Sequence, residues 1–201
     1  MKFNPNGHHR HSIRLKGYDY AQPGGYFVTL ITLWRECLFG EIVDGEIRLS
    51  PLGQIVDDCW RSIPEHFPNI ELGAAVVMPN HIHGIIIIHE NDGAGRKTRV
   101  GATQWVAPTT MGQKTINPTG APSTPTRPKG PTRGSLGAIL GATKMAITRR
   151  AERELNSANI WQRNYYEHIL RDQADWERIT AYITDNYLNW LEDEENPVNV
   201  S

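Results

Sequence analysis

The alternation of apolar and polar residues predicts strands in the first half of the chain. Runs rich in β-branched and aromatic residues indicate strands at 25–33, 70–78 and 81–89. Two short apolar runs flank Asp44-Gly45 between the first two of these strands, and this dipeptide is typical of a tight β-hairpin turn.

Three segments have the spacing of apolar residues that an amphipathic helix requires. The first begins at Ser50-Pro51, where Ser50 can cap the helix and Pro51 suits its first turn. The second covers 135–156 and the third covers 173–191. The three apolar stripes are Leu52, Ile55, Val56 and Trp60; Leu136, Ile139, Leu140, Met145 and Ile147; and Trp176, Ile179, Ile183, Tyr187 and Trp190.

The order of the elements predicts the fold class. Strands are joined by short turns and helices follow in blocks, which is typical of α+β domains. We therefore predict an α+β fold with helices on one face of a mainly antiparallel sheet.

One internal segment interrupts this order. Residues 91–134 contain 7 Gly, 6 Pro and 9 Thr, so they have little to bury, and we predict a flexible insertion there. The rest divides into a basic N-terminal arm at 1–17, a single domain formed by 18–90 and 135–191, and an acidic tail at 192–201.

Composition adds an expected location. A chain of 201 residues suits one domain, and its longest apolar run is far shorter than the ~20 residues of a membrane-spanning helix. The N-terminus has no apolar core of a secretory signal. Only Cys37 and Cys59 are cysteines and they form no CxxC pair, which fits a reducing compartment. We therefore expect a cytoplasmic protein with no membrane partner.

Charge is unevenly distributed although the net charge is only −1. The insertion holds seven basic residues and one acidic residue, a net charge of +6, and the rest of the chain holds 14 basic and 21 acidic residues, a net charge of −7. A basic ribbon on an acidic body fits a contact with a polyanion. It fits equally a linker that charge keeps hydrated.

Two histidines share one face of the strand at 81–89. Residues two apart in a strand point the same way, so His81 and His83 lie side by side while Ile82 and Ile86 face the core. Two imidazoles can hold one metal ion and leave coordination positions open, as a catalytic site requires. The alternative is a pair of exposed strand histidines without a role.

The last predicted helix offers further ligands. Tyr182 and Asn186 are four residues apart, so a phenol and an amide oxygen lie one above the other on the same helix face. A helix packed near the histidines could present both groups to them. Tyr182 on its own is better explained as a tyrosine at the edge of the core.

Three stretches carry a combined pattern: "VVMPNHIHGIIII", "GATKMAITRR" and "IWQRNYYEHILRDQADWERITAYITDN". Together they resemble the REP-associated tyrosine transposases and, more widely, the single-tyrosine HUH transposases of small insertion sequences. The resemblance covers 18–190 apart from the insertion. Many relatives have Asn-Pro where this chain has Asn186-Tyr187, which is the one visible departure.

The resemblance implies a ferredoxin-like (RRM-like) domain of the HUH endonuclease type that cuts and rejoins single-stranded DNA. It implies that His81, His83 and Asn186 hold a divalent metal, Mg²⁺ or Mn²⁺. It implies that Tyr182 is the nucleophile and forms a 5′-phosphotyrosine. The implied partner is single-stranded DNA with hairpin elements, bound by a monomer or homodimer that is associated with the nucleoid when bound to DNA.

Several alternatives remain open at this point. Tyr165 and Tyr166 are rival nucleophiles, and Glu167 and His168 could assist the tyrosine or form an ordinary ion pair at a turn. The same fold could be a nucleic-acid-binding module without catalysis. The two histidines could also serve a metal-dependent hydrolase that uses water.

Basic residues near aromatic residues are candidate DNA contacts. A mixture of cations and rings, as occurs around Tyr18 and Tyr20, suits the stacking of unpaired bases. Each cation taken singly is better explained as a hydrated surface charge. The candidates are Arg14 and Lys16 in the arm, and Lys144, Arg149 and Arg150 on the second predicted helix.

Overall fold

The computed structural model describes residues 18–90, 131–192 and 196–197. The predicted arm, with Arg14 and Lys16, lies outside the described residues, as do most of the predicted insertion and most of the predicted acidic tail. Among the helices so described, none combines the length and the apolar character that crossing a bilayer requires.

The described residues form six strands and four α-helices. The strands are β1 (Gly24–Ile31), β2 (Gly40–Val43), β3 (Glu46–Leu49), β4 (Ile70–Val77), β5 (His81–Ile88) and β6 (Tyr166–Ile169). The helices are α1 (Pro51–Arg61), α2 (Ile63–His66), α3 (Leu136–Leu155) and α4 (Gln173–Asp185), and 3-10 turns occupy Leu33–Arg35 and Asn186–Glu192.

Four strands form one antiparallel sheet in the order β4-β5-β1-β6, and β2 and β3 form a separate hairpin. The hairpin turns at Asp44 and Gly45, whose φ angles of 55° and 76° fit the two left-handed positions of a type I′ turn. This confirms the predicted hairpin. The strand β6 was not assigned from the sequence.

Helices α1 and α3 cover one face of the sheet. Ile82 and Ile86 of β5 belong to the large core cluster there, together with residues of both helices. Helix α1 begins as predicted, because the Ser50 hydroxyl accepts a hydrogen bond from the Gly53 amide at 3.0 Å.

The predicted apolar stripe of α3 is wrong at one position, Met145. Met145 is 51% exposed, whereas Thr143 is buried and its hydroxyl donates to the Ile139 carbonyl at 3.0 Å. The buried positions Ile139, Thr143 and Ile147 follow the four-residue helical spacing, and Met145 falls between them.

Helix α4 covers the opposite face of the sheet. Its Ile179 and Ile183 pack with Phe27 of β1 and Ile85 of β5 in a second cluster, separate from the main core. The predicted α+β class with an antiparallel sheet is confirmed, but the prediction that the helices lie on one face is wrong for α4, because Phe27 and Ile85 make the second face of the sheet apolar as well. The placement of α4 brings a helix over the face of β5 that carries the histidines.

The last helix differs in extent from the prediction of one helix over 173–191. The α-helix ends at Asp185 and the chain continues as a 3-10 helix, Asn186–Glu192, in which Tyr187 and Trp190 are only half-buried. The Asp185-Asn186 pair has low helix propensity, which favours a change in backbone geometry at this point.

Candidate active site

Two imidazoles lie side by side under α4. His81 pairs with Ile31 and His83 pairs with Thr29 across the β1–β5 ladder, so both side chains leave the same face of the sheet. Their ring centroids are 4.3 Å apart, and the two residues are only 0% and 3% exposed. They are therefore buried and close together, which does not fit exposed histidines without a role.

His81 has a defined tautomer because of Asn80. The Asn80 amide nitrogen donates to the Arg35 carbonyl at 3.0 Å, which leaves the amide oxygen to face the imidazole. That oxygen lies 2.8 Å from His81 Nδ1 and can only accept, so Nδ1 carries the proton. Nε2 therefore carries the lone pair of the imidazole and directs it toward the α4 side.

His83 is held from both ends of its ring. Its Nδ1 lies 2.9 Å from the Thr29 hydroxyl, and its Nε2 lies 3.2 Å from the Tyr182 hydroxyl. Thr29 is 4% exposed and belongs to the neighbouring strand, so it fixes the ring orientation from within the sheet. The Phe27 ring, with its centroid 5.3 Å from that of His83, packs against the imidazole.

Tyr182 joins the helix to the histidines. It projects from α4 toward His83, and its ring meets Phe27 edge-on with the centroids 6.0 Å apart. The residue stays 45% exposed and lines an open cleft of about 600 Å³. A phenol that is oriented by a buried imidazole and still open to solvent can reach a large substrate.

Asn186 closes the inner side of the site. The residue is 3% exposed and interacts with His81, and its buried amide oxygen has no hydrogen-bond partner among the described residues. Trp190 covers the same side, with its ring centroid 6.1 Å from that of His81. A buried oxygen with an unused lone pair is costly unless a ligand binds it.

These groups fit a divalent metal ion. Two imidazole nitrogens and one amide oxygen can hold an ion and leave positions for substrate oxygens. The part of the chain that the structure describes holds no group of three or more His, Cys, Asp and Glu side chains that could bind a metal. A metal site here would therefore consist of His81, His83 and Asn186 with its remaining positions open.

Burial keeps His81 neutral. It lowers the pKa of His81 to about 3, the positive charge of Arg35 acts in the same direction, and the nearby Asn186 side chain offsets a part. At neutral pH the imidazole is therefore unprotonated, as a metal ligand must be.

We expect the metal-free protein to lose stability as the pH falls below 6.5. The unfolded imidazole binds a proton near pH 6.5 and the folded one only near pH 3, so the unfolded state holds more protons between these values. The free energy of unfolding should fall by up to about 1.4 kcal/mol per pH unit in this window. Urea unfolding in EDTA at several pH values measures it, and His81→Gln should flatten the slope. An unchanged slope in His81→Gln would contradict this assignment.

Three of the other predicted DNA contacts lie on α3, on the opposite face of the sheet from the histidine site. Lys144 donates to the carbonyl oxygens of Gln162 and Asn164 at 3.0 and 2.7 Å, and burial lowers its pKa to about 8. These bonds give Lys144 a structural role, because they attach the segment before β6 to α3.

Arg150 is also engaged within the protein. It forms ion pairs with Asp58 at 2.9 Å and with Glu154 at 3.2 Å, whereas Arg149 is exposed. The structure does not bring Lys144, Arg149 or Arg150 to the site, and their contact with DNA stays a prediction.

The alternation of side chains along the strand places the two rival tyrosines, Tyr165 and Tyr166, on different faces of the sheet. Tyr166 pairs with Thr29 in β6, shares the face of His83, lines the cleft and is 46% exposed. Tyr165 packs against the main core, and Glu167, which pairs with Val28, also faces that core. Tyr166 therefore remains a neighbour of the site, and Glu167 lies on the wrong face to assist Tyr182.

His168 has the ordinary role that the sequence left open. Its Nε2 lies 2.8 Å from the Asp175 carboxylate of α4, which also bonds Arg178. Arg178 lies one turn before Tyr182 and lines the cleft. The network attaches α4 to β6 and places a cation at the mouth of the site.

Sequence reasoning missed Asn80, Thr29, Arg35 and Arg178. Asn80 directly precedes the histidine strand, so its position beside His81 could have suggested an orienting role. Thr29 could not be found, because its contact depends on the register between β1 and β5.

Comparisons with known proteins place the chain among relatives. No family model matches the sequence. An uncharacterized protein of Haemophilus influenzae is 37% identical over 193 residues, and the alignment covers 96% of each chain. A structure of a REP-associated tyrosine transposase bound to a REP hairpin aligns with a TM-score of 0.54 at 17% identity, covering 89% of this chain and 74% of that one. The comparison with the solved transposase structure shows a shared fold.

Proposed function

Because the chain belongs to the same family as the Haemophilus influenzae protein and has the fold of a REP-associated tyrosine transposase, we propose that it is a single-stranded DNA transposase that acts through a 5′-phosphotyrosine. One observation carries the proposal most directly. The Tyr182 hydroxyl lies 3.2 Å from Nε2 of a buried histidine at an open cleft. This contact supports the role of an oriented nucleophile for Tyr182 over that of a packing tyrosine.

The reaction is a transesterification at phosphorus. The Tyr182 oxygen forms a bond to the phosphorus, the bond from phosphorus to the 3′ oxygen breaks, and the phenol proton is balanced by the proton that the released 3′-OH gains. The bond energy is kept in the phosphotyrosine, so a DNA 3′-OH can reverse the step and rejoin strands without a nucleotide cofactor.

The residues around Tyr182 have distinct parts in this scheme. Asn80 and Thr29 orient the two imidazoles, and Arg178 offers positive charge to the phosphate at the cleft. A divalent ion held by His81, His83 and Asn186 would polarise the phosphate oxygens. Imidazole ligands suit Mn²⁺ better than Mg²⁺, so Mn²⁺ should support the reaction at least as well.

We expect Tyr182→Phe to bind Mn²⁺ about 2- to 10-fold more tightly than the parent protein. A metal ion on His83 Nε2 would use the lone pair of the nitrogen that now faces the Tyr182 hydroxyl, so removal of the hydroxyl removes a competitor. Titration of Mn²⁺ followed by electron paramagnetic resonance measures the dissociation constant. His83→Gln is the control and should bind Mn²⁺ much more weakly, and EDTA should stop DNA cleavage by the parent. Equal affinity in parent and Tyr182→Phe would place the ion elsewhere.

The partner follows from the same reasoning. The transposase of similar fold is bound to a REP hairpin, and we propose hairpin-bearing single-stranded DNA as the substrate class here. The protein would act in the cytoplasm, on the nucleoid when bound to DNA, as a monomer or homodimer.

A labelled hairpin with single-stranded flanks, incubated with the protein and Mn²⁺ and run on a denaturing gel, tests the proposal. A covalent adduct between protein and DNA is the expected result. Cleavage without an adduct would favour a hydrolase that uses water. Binding without cleavage would favour a module of this fold that has no catalysis.

A further inference from the structure

The 3-10 turn Leu33–Arg35 combines strain with an exposed ring. Trp34 and Arg35 have φ angles of 58° and 57°, in the left-handed region that bulky residues avoid. Trp34 is also 80% exposed, so packing does not account for the indole. Strained conformations of this kind persist where surrounding structure enforces them, and they cluster at functional sites.

Hydrogen bonds hold the turn from two sides. The Thr32 amide donates to the Asn80 carbonyl at 2.8 Å, and the Leu33 amide donates to the Ile160 carbonyl at 2.8 Å. The Asn80 side chain in turn donates to the Arg35 carbonyl at 3.0 Å. The turn is therefore a fixed platform, joined directly to the residue that orients His81.

The position of the turn is next to the site. It follows β1 after the single residue Thr32, and since Ile31 pairs with His81, the turn extends beyond the histidine end of the ladder. Arg35 is half-buried there, and its positive charge is felt at His81. An exposed ring and a cation on a rigid support beside a phosphate-cleaving site suit an unpaired nucleotide.

We propose that Trp34 and Arg35 form a binding site for one nucleotide of single-stranded DNA next to the scissile phosphate. Trp34 stacks on the unpaired base and Arg35 contacts a backbone phosphate. The proposal rests on the proposed function for its substrate class. Because stacking needs a π-face and not a particular edge, the contact is tolerant of base sequence and excludes paired bases.

Binding of fluorescein-labelled oligo(dT), followed by anisotropy, tests this contact. The Tyr182→Phe background is used so that no strand is cut. Trp34→Ala should weaken binding by about 5- to 100-fold, while Trp34→Phe should keep most of the affinity. Arg35→Gln should reduce the salt dependence of binding by roughly one phosphate contact. A duplex of the same composition should bind without sensitivity to Trp34.

Two matched variants separate the contact from folding. Trp34→Asn places a residue that tolerates the left-handed backbone, so its melting temperature should equal or exceed that of the parent although its oligo(dT) affinity falls as in Trp34→Ala. Met145→Ala removes another exposed apolar side chain, on the opposite face, and should change neither quantity.

Unchanged oligo(dT) binding in Trp34→Ala would overturn the proposal. So would a change in sedimentation mass in Trp34→Ala, which would identify the indole as a contact between copies of the chain. The two proposals can fail separately. If the parent forms a covalent adduct but Trp34→Ala binds oligo(dT) normally, only the nucleotide contact is contradicted. If Trp34→Ala weakens oligo(dT) binding but the parent forms no adduct, only the transposase activity is contradicted.

Discussion

Replacement of Tyr182 by phenylalanine will abolish the covalent attachment of DNA to the protein and reduce strand cleavage by roughly 10⁴-fold. The change removes one oxygen and leaves the ring packing against Phe27 and His83. Since Tyr182 and His83 line an open cleft, water can replace the lost hydroxyl at His83 Nε2, and the cost in stability is small. The expected signature is loss of the adduct on a denaturing gel with an unchanged melting temperature.

Tyr166→Phe is the matched control for this prediction. Tyr166 lines the same cleft and has a similar exposed fraction, 46%, but it belongs to β6 rather than to α4. Cleavage by this variant should stay within about 3-fold of the parent, because in the proposed reaction Tyr182, and not Tyr166, forms the bond to phosphorus. An adduct that survives in Tyr182→Phe and disappears in Tyr166→Phe would transfer the nucleophilic role to Tyr166.

Substitution of Gly84 by alanine will destabilise the protein by about 3 kcal/mol. Gly84 follows the site histidine His83 in β5 and faces the main core. A Cβ on Gly84 would be 2.2 Å from Cζ2 of Trp60. Trp60 is 2% exposed and packs within the main core, so its ring has no space to retreat. Urea unfolding at neutral pH measures the loss of free energy.

Gly141→Ala provides a control of opposite sign. Gly141 is exposed in α3 and a Cβ there meets nothing within 4 Å. The alanine should raise the free energy of unfolding by about 0.5–1 kcal/mol, because glycine is the poorer helix former. A Gly84→Ala protein as stable as the parent would mean that Trp60 and β5 can separate without cost. That result would contradict the tight contact between strand and helix.

The histidine arrangement was accessible from sequence because it depends on local periodicity. Alternation along a strand is sufficient to place His81 and His83 on one side and Ile82 on the other. Helical spacing likewise places Tyr182 and Asn186 on one face. The structure shows that these two local patterns meet, and the family resemblance had suggested that they would.

The supporting contacts were not accessible, because they depend on tertiary register. Thr29 reaches His83 only because β1 pairs with β5 in one particular alignment. Lys144 looked like a surface cation, yet it is used to hold two carbonyl groups of a distant segment. The strained backbone of Trp34 leaves no sign in composition or periodicity, since any residue type can be forced into it by its neighbours.

The bond between His83 and Tyr182 joins residues 99 positions apart. A chain that stops before α4 retains both imidazoles and lacks the phenol, because α4 follows β5 in the order of synthesis. Under the proposed function, such a translation product has both proposed metal ligands of β5 but no nucleophile, so it cannot form the link to DNA. Strand cutting would then begin only after α4 has been synthesised and has packed on the sheet.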